Sequence, residues 1–298
     1  MTELYAYSGY TDKSSIHFTI AASVAITLCL FGLLGNAIVF WYLSFRSERN
    51  KYTVYMINLA AADFIFLLSN SLVMMLSINT MIGENPDFKE NSNLHLVIEI
   101  FYDCSQYSGM FFFTALSLER CLSVIFPIWY QSSRPKNQST ITCFFLWVVG
   151  LSESLIGNLL CQPEDFLNQT ANCTGAELME FVIGIGICLP LMVLSSVTLL
   201  TTLCLKFRKQ VLQELYIFII VAVFINVLSV TLFNLMWFLM YFQLLALNIQ
   251  YVSLFYATVF GTALNSTINP YLYFFAERKW RKHVFTEKTE HFSEKNIA

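Results

Sequence analysis

Residues Gly109 to Tyr130 read GMFFFTALSLERCLSVIFPIWY. A long apolar run here carries an acid and a base side by side, Glu119 and Arg120, with Pro127 soon after. In the core of a bilayer each such charge costs about 3 kcal/mol on insertion scales. Charges inside membrane segments therefore usually mark function. Near a helix end the penalty falls, because arginine can reach toward the interface. Two readings follow. One is a snorkelling pair that anchors a helix. The other is a switch, in which Glu119 holds Arg120 at rest and a partner protein later takes Arg120.

Composition identifies the solvent. Of 298 residues, 56% are hydrophobic and 12% are charged. Soluble chains carry about 25% charged residues. The 28 Phe and 15 Tyr suit lipid contact and interfacial belts. No basic domain is present to suggest a nucleic-acid partner. Met1 to Ser15 is polar and reads as a short ectodomain. No cleavable signal peptide precedes it, and the first apolar run is long enough to act as an uncleaved signal-anchor.

A bilayer core needs about 20 apolar residues per helix. His17 to Phe45 lacks Asp, Glu, Lys and Arg and reads as span one. Tyr52 to Ile82, charged only at Asp63, is span two. Leu94 to Phe126 is span three, with Glu99 and Asp103 near its start. Ser139 to Cys161 is span four, interrupted by Glu153, and Leu178 to Leu205 is span five, charged only at Glu180. Leu215 to Ala276 has no charged residue and is about twice one crossing, so it divides near Gln243 to Gln250 into spans six and seven. Barrel strands would alternate in polarity, and these runs do not.

Basic clusters give the orientation. They fall at Arg46, Arg49 and Lys51; at Arg134 and Lys136; at Lys206, Arg208 and Lys209; and at Arg278, Lys279, Arg281 and Lys282. Two spans separate each from the next, so the positive-inside rule makes all four cytoplasmic. The expected fold is an all-α membrane protein, a seven-transmembrane helix bundle in one domain. Residues 1–16 are extracellular, 17–275 form the bundle, and 276–298 are a cytoplasmic helix and tail. The stretch FFAERKWRKHVF, from Phe274 to Phe285, suits a short amphipathic eighth helix on the inner leaflet.

Seven spans with these residues resemble the rhodopsin-like (family A) G-protein-coupled receptors. Gly35-Asn36 lies in span one and Leu59-Ala60-Ala61-Ala62-Asp63 in span two. Glu119-Arg120-Cys121 stands where that family has Asp-Arg-Tyr. Trp147, Pro190 and Asn269-Pro270-Tyr271-Leu272-Tyr273 complete the pattern on spans four, five and seven. Two stretches, LERCLSVIFPIWY from Leu118 and FRSERNKYTVYMINLAAADF from Phe45, are similar to the Mas-related receptors. There are departures. Ser229-Val230-Thr231-Leu232 replaces the Cys-Trp-x-Pro motif of span six, Thr198 stands where a tyrosine is frequent, and Gly109 where a serine is.

The resemblance implies a plasma-membrane receptor that couples to heterotrimeric G proteins of the Gq and Gi families, with arrestin as a further partner. Glu119, Arg120, Asn269, Pro270 and Tyr273 would form the coupling switch. It also implies a sodium ion at Asp63, among Asn36, Asn265, Ser266 and Asn269. The alternative is a water-filled network around a protonated Asp63. No other cofactor is expected. Mas-related receptors lack the usual disulfide from span three, and Asn93-Leu94-His95 offers no cysteine there. Cys161 and Cys173 are expected to bond instead, against the alternative of two free thiols.

Glu99, Tyr102, Asp103 and Gln106 follow i, i+3, i+4, i+7 spacing and are expected to share one face of span three. In the resembled family that face lines the ligand pocket. Glu177 matches a position that is often acidic in Mas-related receptors, and Glu180 lies one turn on. Gly157 occupies another position that is acidic in some of them. Trp237, Tyr241, Phe242, Tyr251, Phe255 and Tyr256 cluster at the outer ends of spans six and seven, where Trp237 and Tyr241 are candidates to stack on a cation. The expected ligand is cationic, a basic peptide or amphiphile. Alternatives are a neutral lipid, or a constitutively active receptor with no ligand. A transporter using Asp63, Glu99 and Asp103 is weaker, since broken helices and repeats are absent from the sequence. No metal cluster, nucleophile elbow or phosphate loop suggests an enzyme. Asn168 and Asn172 sit in glycosylation sequons.

Overall fold

In lipid an apolar segment must satisfy its own backbone polar groups, which makes it a helix. The computed structural model describes residues 12–46, 51–82, 92–135, 137–161, 169–206, 210–245 and 254–271. Among these there is no strand. Span one is Asp12–Phe45, span two Lys51–Ile82, span three Ser92–Ile125 and span four Gln138–Leu160. Span five joins Ala171–Phe181, Val182–Cys188 and Leu189–Lys206 without a break. Span six is Gln210–Tyr241, and residues 254–271 form a seventh helix. Six of these are long and apolar enough to cross a membrane by length and composition. The end of the bundle that holds Arg120 is termed inner, the other outer. The eighth helix expected after residue 275, Tyr273 and Asn168 lie outside the described residues.

Polar side chains point inward and apolar ones outward. Leu30, Phe31, Leu34, Phe144, Leu194 and Phe224 are exposed to the lipid, whereas Asn36, Asp63, Asn70, Ser108, Asn226, Asn265 and Asn269 are buried. Span three is central and touches spans two, four, five and six. Its contact with span four is close because the facing residues are small. A Cβ on Gly150 would collide with Ser108, and Ser154 Oγ donates to the Ile100 carbonyl at 2.8 Å. Tyr55, Leu59, Phe112, Phe113 and Met192 fill the inner core, and Met74, Met240, Phe255 and Val259 fill the outer one.

Span six stops where the uncharged run was divided. Gln243 adopts a left-handed backbone (φ 54°), and Leu244 N–H returns to the Leu239 carbonyl at 2.9 Å, which caps the helix. Span five differs from the expected Leu178 start. Its helix begins at Ala171, because the polar first turns are outside the apolar run yet remain tied to the bundle through Cys173. Seven residues, Val182–Cys188, form a π-helix in which Leu189 N–H reaches the Gly184 carbonyl. Pro190 has no N–H to donate at the next position, and its ring crowds the preceding turn. Inward positions of this span consequently recur every fourth residue: Ala176, Gly184, Cys188 and Met192 are buried, and Glu180 turns inward to Tyr107.

Candidate ligand chamber and coupling face

Carboxylates gather at the outer end. Glu177 accepts from the Trp237 indole at 2.6 Å, Glu180 from the Tyr107 hydroxyl at 2.5 Å, and Asp103 from the Asn158 amide at 2.7 Å. Asp103 and Glu177 both act electrostatically on Glu180. Glu99 faces His95 at 3.5 Å, one turn earlier on the same helix. Among the described residues from Thr19 onward, Lys and Arg occur only toward the inner end: Arg46, Lys51, Arg120, Arg134 and Lys206. Among the described residues from Thr19 onward, the outer half of the bundle therefore carries carboxylates and no Lys or Arg.

The four span-three residues do not line a single wall. Tyr102 is 3% exposed and packs with Cys29, Phe66, Leu67 and Ala263 of spans one, two and seven. Asp103, one residue on, turns to span four. Gln106 lines a small, deeper cavity with Asp63, Asn226, Asn234 and Asn265. Adjacent helical residues differ by about 100°, so a stripe at this spacing spreads over neighbouring contacts. Trp237 faces Glu177. Tyr241 is buried, with its hydroxyl 3.2 Å from Thr174 Oγ1; it is packing at the top of the chamber. Asn172 is exposed.

Cys161 and Cys173 are bonded. A Glu177 carboxylate oxygen lies within 4.8 Å of their sulfurs, so the bridge fixes the turn from which Glu177 projects. Closing this 12-residue separation contributes about 3 kcal/mol in the chain-entropy account. Peptide mapping of non-reduced receptor is expected to recover the two segments linked, and Cys161→Ser is expected to lower thermal stability. Recovery of both thiols free would overturn the pairing.

Asp63 lies deeper in the bundle. Asn269 Nδ2 donates to Asp63 Oδ2 at 2.9 Å. Asn36 does not reach Asp63. Its amide donates to the Ser266 and Gly32 carbonyls at 3.1 and 3.0 Å, which ties span one to span seven.

The inner end corrects the expected switch. Glu119 does not hold Arg120. Glu119 Oε1 accepts from Arg134 Nη2 at 2.5 Å and from Tyr55 OH at 3.0 Å, and Arg134 also donates to Ser139 Oγ at 2.8 Å. Arg120 instead rests with its guanidinium 3.8 Å from the centre of the Tyr52 ring. Neighbouring side chains on a helix diverge, so the two members of the pair find different partners. Arg134 gets there because the short helix Pro127–Ser132 folds the chain back. Tyr52 stacks in turn on Tyr130, and Lys51 Nζ donates to the Tyr130 carbonyl at 2.5 Å. Burial pushes the Tyr130 phenol well above its usual pKa, keeping that ring neutral beneath the cations. Sequence reading placed Arg134 in a basic cluster and missed its role. It also passed over Tyr107, and it noted Glu153 without assigning it to a site, although a lone acid in an apolar span was the available signal.

A bundle of apolar helices with carboxylates grouped at one end and an arginine resting on an aromatic ring at the other is the architecture of a seven-transmembrane receptor. Residues 35–273 match the 7 transmembrane receptor (rhodopsin family). The chain is 32% identical to human Mas-related G-protein coupled receptor member X1 over 280 residues, covering 92% of this chain and 82% of that protein. It is 33% identical to rat member F over 260 residues (86% and 72% of the two chains) and 35% identical to rat member A over 251 residues (83% and 79%). The chain belongs to the rhodopsin-like family and is a G-protein-coupled receptor of Mas-related type. It is a multi-pass membrane receptor and not an enzyme.

Proposed function

We propose that the receptor sits in the plasma membrane with its N-terminus outside, binds a cationic ligand, and activates heterotrimeric G proteins of the Gq and Gi families. The ligand is a basic peptide or a basic amphiphile. The observation that carries this reading is the grouping of Asp103, Glu177 and Glu180 at the outer end, where the described residues from Thr19 onward supply no Lys or Arg. A field of one sign draws the opposite charge and speeds encounter, more so at low salt. A desolvated ammonium or guanidinium then gains charge-assisted hydrogen bonds from the carboxylates. The Trp237 ring, beside Glu177 and backed by Phe255 at 5.7 Å between centroids, suits the apolar remainder of an amphiphile. At the inner end Arg120 meets the G protein, with arrestin competing for the same face. The test is nucleotide exchange in membranes containing the receptor and each G protein, driven by a panel of basic peptides and cationic amphiphiles. Exchange that responds only to neutral lipids or anions would overturn the ligand class.

The reading extends to a sodium ion at Asp63. The residues fit in part. Asn269 Oδ1 is buried without a hydrogen-bond partner, so it offers a second oxygen beside the Asp63 carboxylate, while Gly109 offers no hydroxyl. When bound, the ion would neutralise Asp63. Purified receptor is expected to melt at higher temperature in sodium chloride than in choline chloride, with the difference lost in Asp63→Asn. Equal melting in the two salts would remove sodium from the account.

A further inference from the structure

We propose that Glu153 and Glu180 form a second cation subsite below the first, so that the receptor selects ligands carrying two positive charges over ligands carrying one. This rests on the cationic-ligand reading above and adds Glu153 to it, as a deeper partner for Glu180.

Glu153 is the exceptional acid of the chamber. It is 7% exposed, and its Oε2 has no hydrogen-bond partner. Among the described residues, Asp103, Glu177 and Glu180 each have a neutral donor, and Glu153 Oε2 has none. An ionised carboxylate so placed in an apolar helix is unfavourable unless a cation joins it. Glu153 lies four residues before Gly157, on the same face of span four and about 6 Å deeper.

Gly157 brings Glu180 to that face. The place its Cβ would take is 2.9 Å from Glu180 Oε1. A larger residue there would push the carboxylate away. The other oxygen of Glu180 is held by Tyr107, so the carboxylate is fixed between spans three, four and five. Glu153 acts on it electrostatically from span four, as Glu177 and Asp103 do from the other side. The arrangement is graded. A first cation between Asp103 and Glu177 meets carboxylates that already have donors. A second, roughly one helical turn deeper, about 5 Å on, meets Glu180 and the unpartnered oxygen of Glu153. A ligand with two ammonium or guanidinium groups at that spacing satisfies both levels.

The test uses full-length receptor in lipid nanodiscs and three probes with the same chain: dodecanol, dodecylamine and N-dodecyl-1,3-propanediamine. Thermal unfolding is followed as each is titrated, with dodecanol reporting partition into lipid. The dication is expected to reach its half-maximal shift at a concentration about tenfold below the monocation, the ratio expected when one buried charge pair is gained. That advantage should vanish in Glu153→Gln, while the monocation still binds. Should that variant fail to fold, Gly157→Ala displaces Glu180 without removing a charge and should erase the same advantage. Equal potency of the two amines in the unmodified receptor, or a preference that survives the variants, would overturn the subsite yet leave the cationic-ligand reading in place. Dodecanol matching both amines would overturn that reading and the subsite with it.

Discussion

Arg120→Ala abolishes agonist-driven nucleotide exchange and leaves receptor abundance and ligand binding near those of the unmodified protein. The separation of the two effects follows from the inner-end geometry. Among the described residues Arg120 has no carboxylate partner; it lies on the Tyr52 ring. Losing a cation–π contact of this kind costs about 1 kcal/mol, which a folded receptor tolerates. Arg134 is the contrasting case. Its side chain is 1% exposed and is the cation paired with Glu119. Arg134→Ala strands a buried carboxylate, a change that typically costs about 3 to 5 kcal/mol, and is expected to reduce the amount of folded receptor at the surface. Equal signalling by Arg120→Ala at matched expression would show that another residue couples to the G protein. The same geometry bears on the resting state. Release of Arg120 opposes a single aromatic contact, so agonist has less to overcome than an ion pair would impose.

Asp103→Asn and Glu177→Gln each weaken a cationic agonist by about tenfold or more. Each amide keeps the size of the acid and an oxygen to accept from Asn158 or Trp237, so the substitution removes charge and little else. Truncating one partner of a buried charged hydrogen bond typically costs about 2 to 5 kcal/mol, and about 1.4 kcal/mol is tenfold in affinity. Asp87→Asn, in the outer loop by sequence, acts through the screened surface potential and changes potency far less. Dose–response curves at matched expression measure all three. If joint neutralisation of Glu99, Asp103 and Glu177 leaves potency unchanged, the chamber does not recognise charge.

Much of this was legible in the chain because the bilayer imposes few solutions. Uncharged runs can only be helices, and the positions of Asp63, Arg120 and Asn269 within them follow from counting. The joining of Cys161 to Cys173 was expected and is present. What escaped depends on the path of loops and the rotation of helices. Glu119 was assigned to its neighbour Arg120, since no spacing rule reveals that the turn after Pro127 returns Arg134. Tyr102 and Asp103 were placed on one face and diverge, because helical spacing gives an angle and not the identity of the neighbour. Glu180 meets Tyr107 and Gly157 across spans, which requires the phase of span five, and hydrophobicity does not report that phase when both faces are apolar.

The π-helix of Val182–Cys188 sets that phase. In a regular α-helix, at about 100° per residue, Glu180 and Met192 would point about 120° apart. Here both face the bundle. The wide turn thus absorbs one extra residue and keeps the sensing upper part of the span in phase with the packed lower part. Deleting one residue there, Ile185 for instance, should let the chain relax to α-helix, and the eleven steps then left between Glu180 and Met192 still bring both to within about 20° of one face. Such a shortened receptor is expected to keep its inner core and its response to cationic agonist, whereas inserting one alanine after Ile185 is expected to turn Glu177 and Glu180 about 100° away and abolish that response. The wide turn, and not side-chain chemistry, is then what aims the acids of this span.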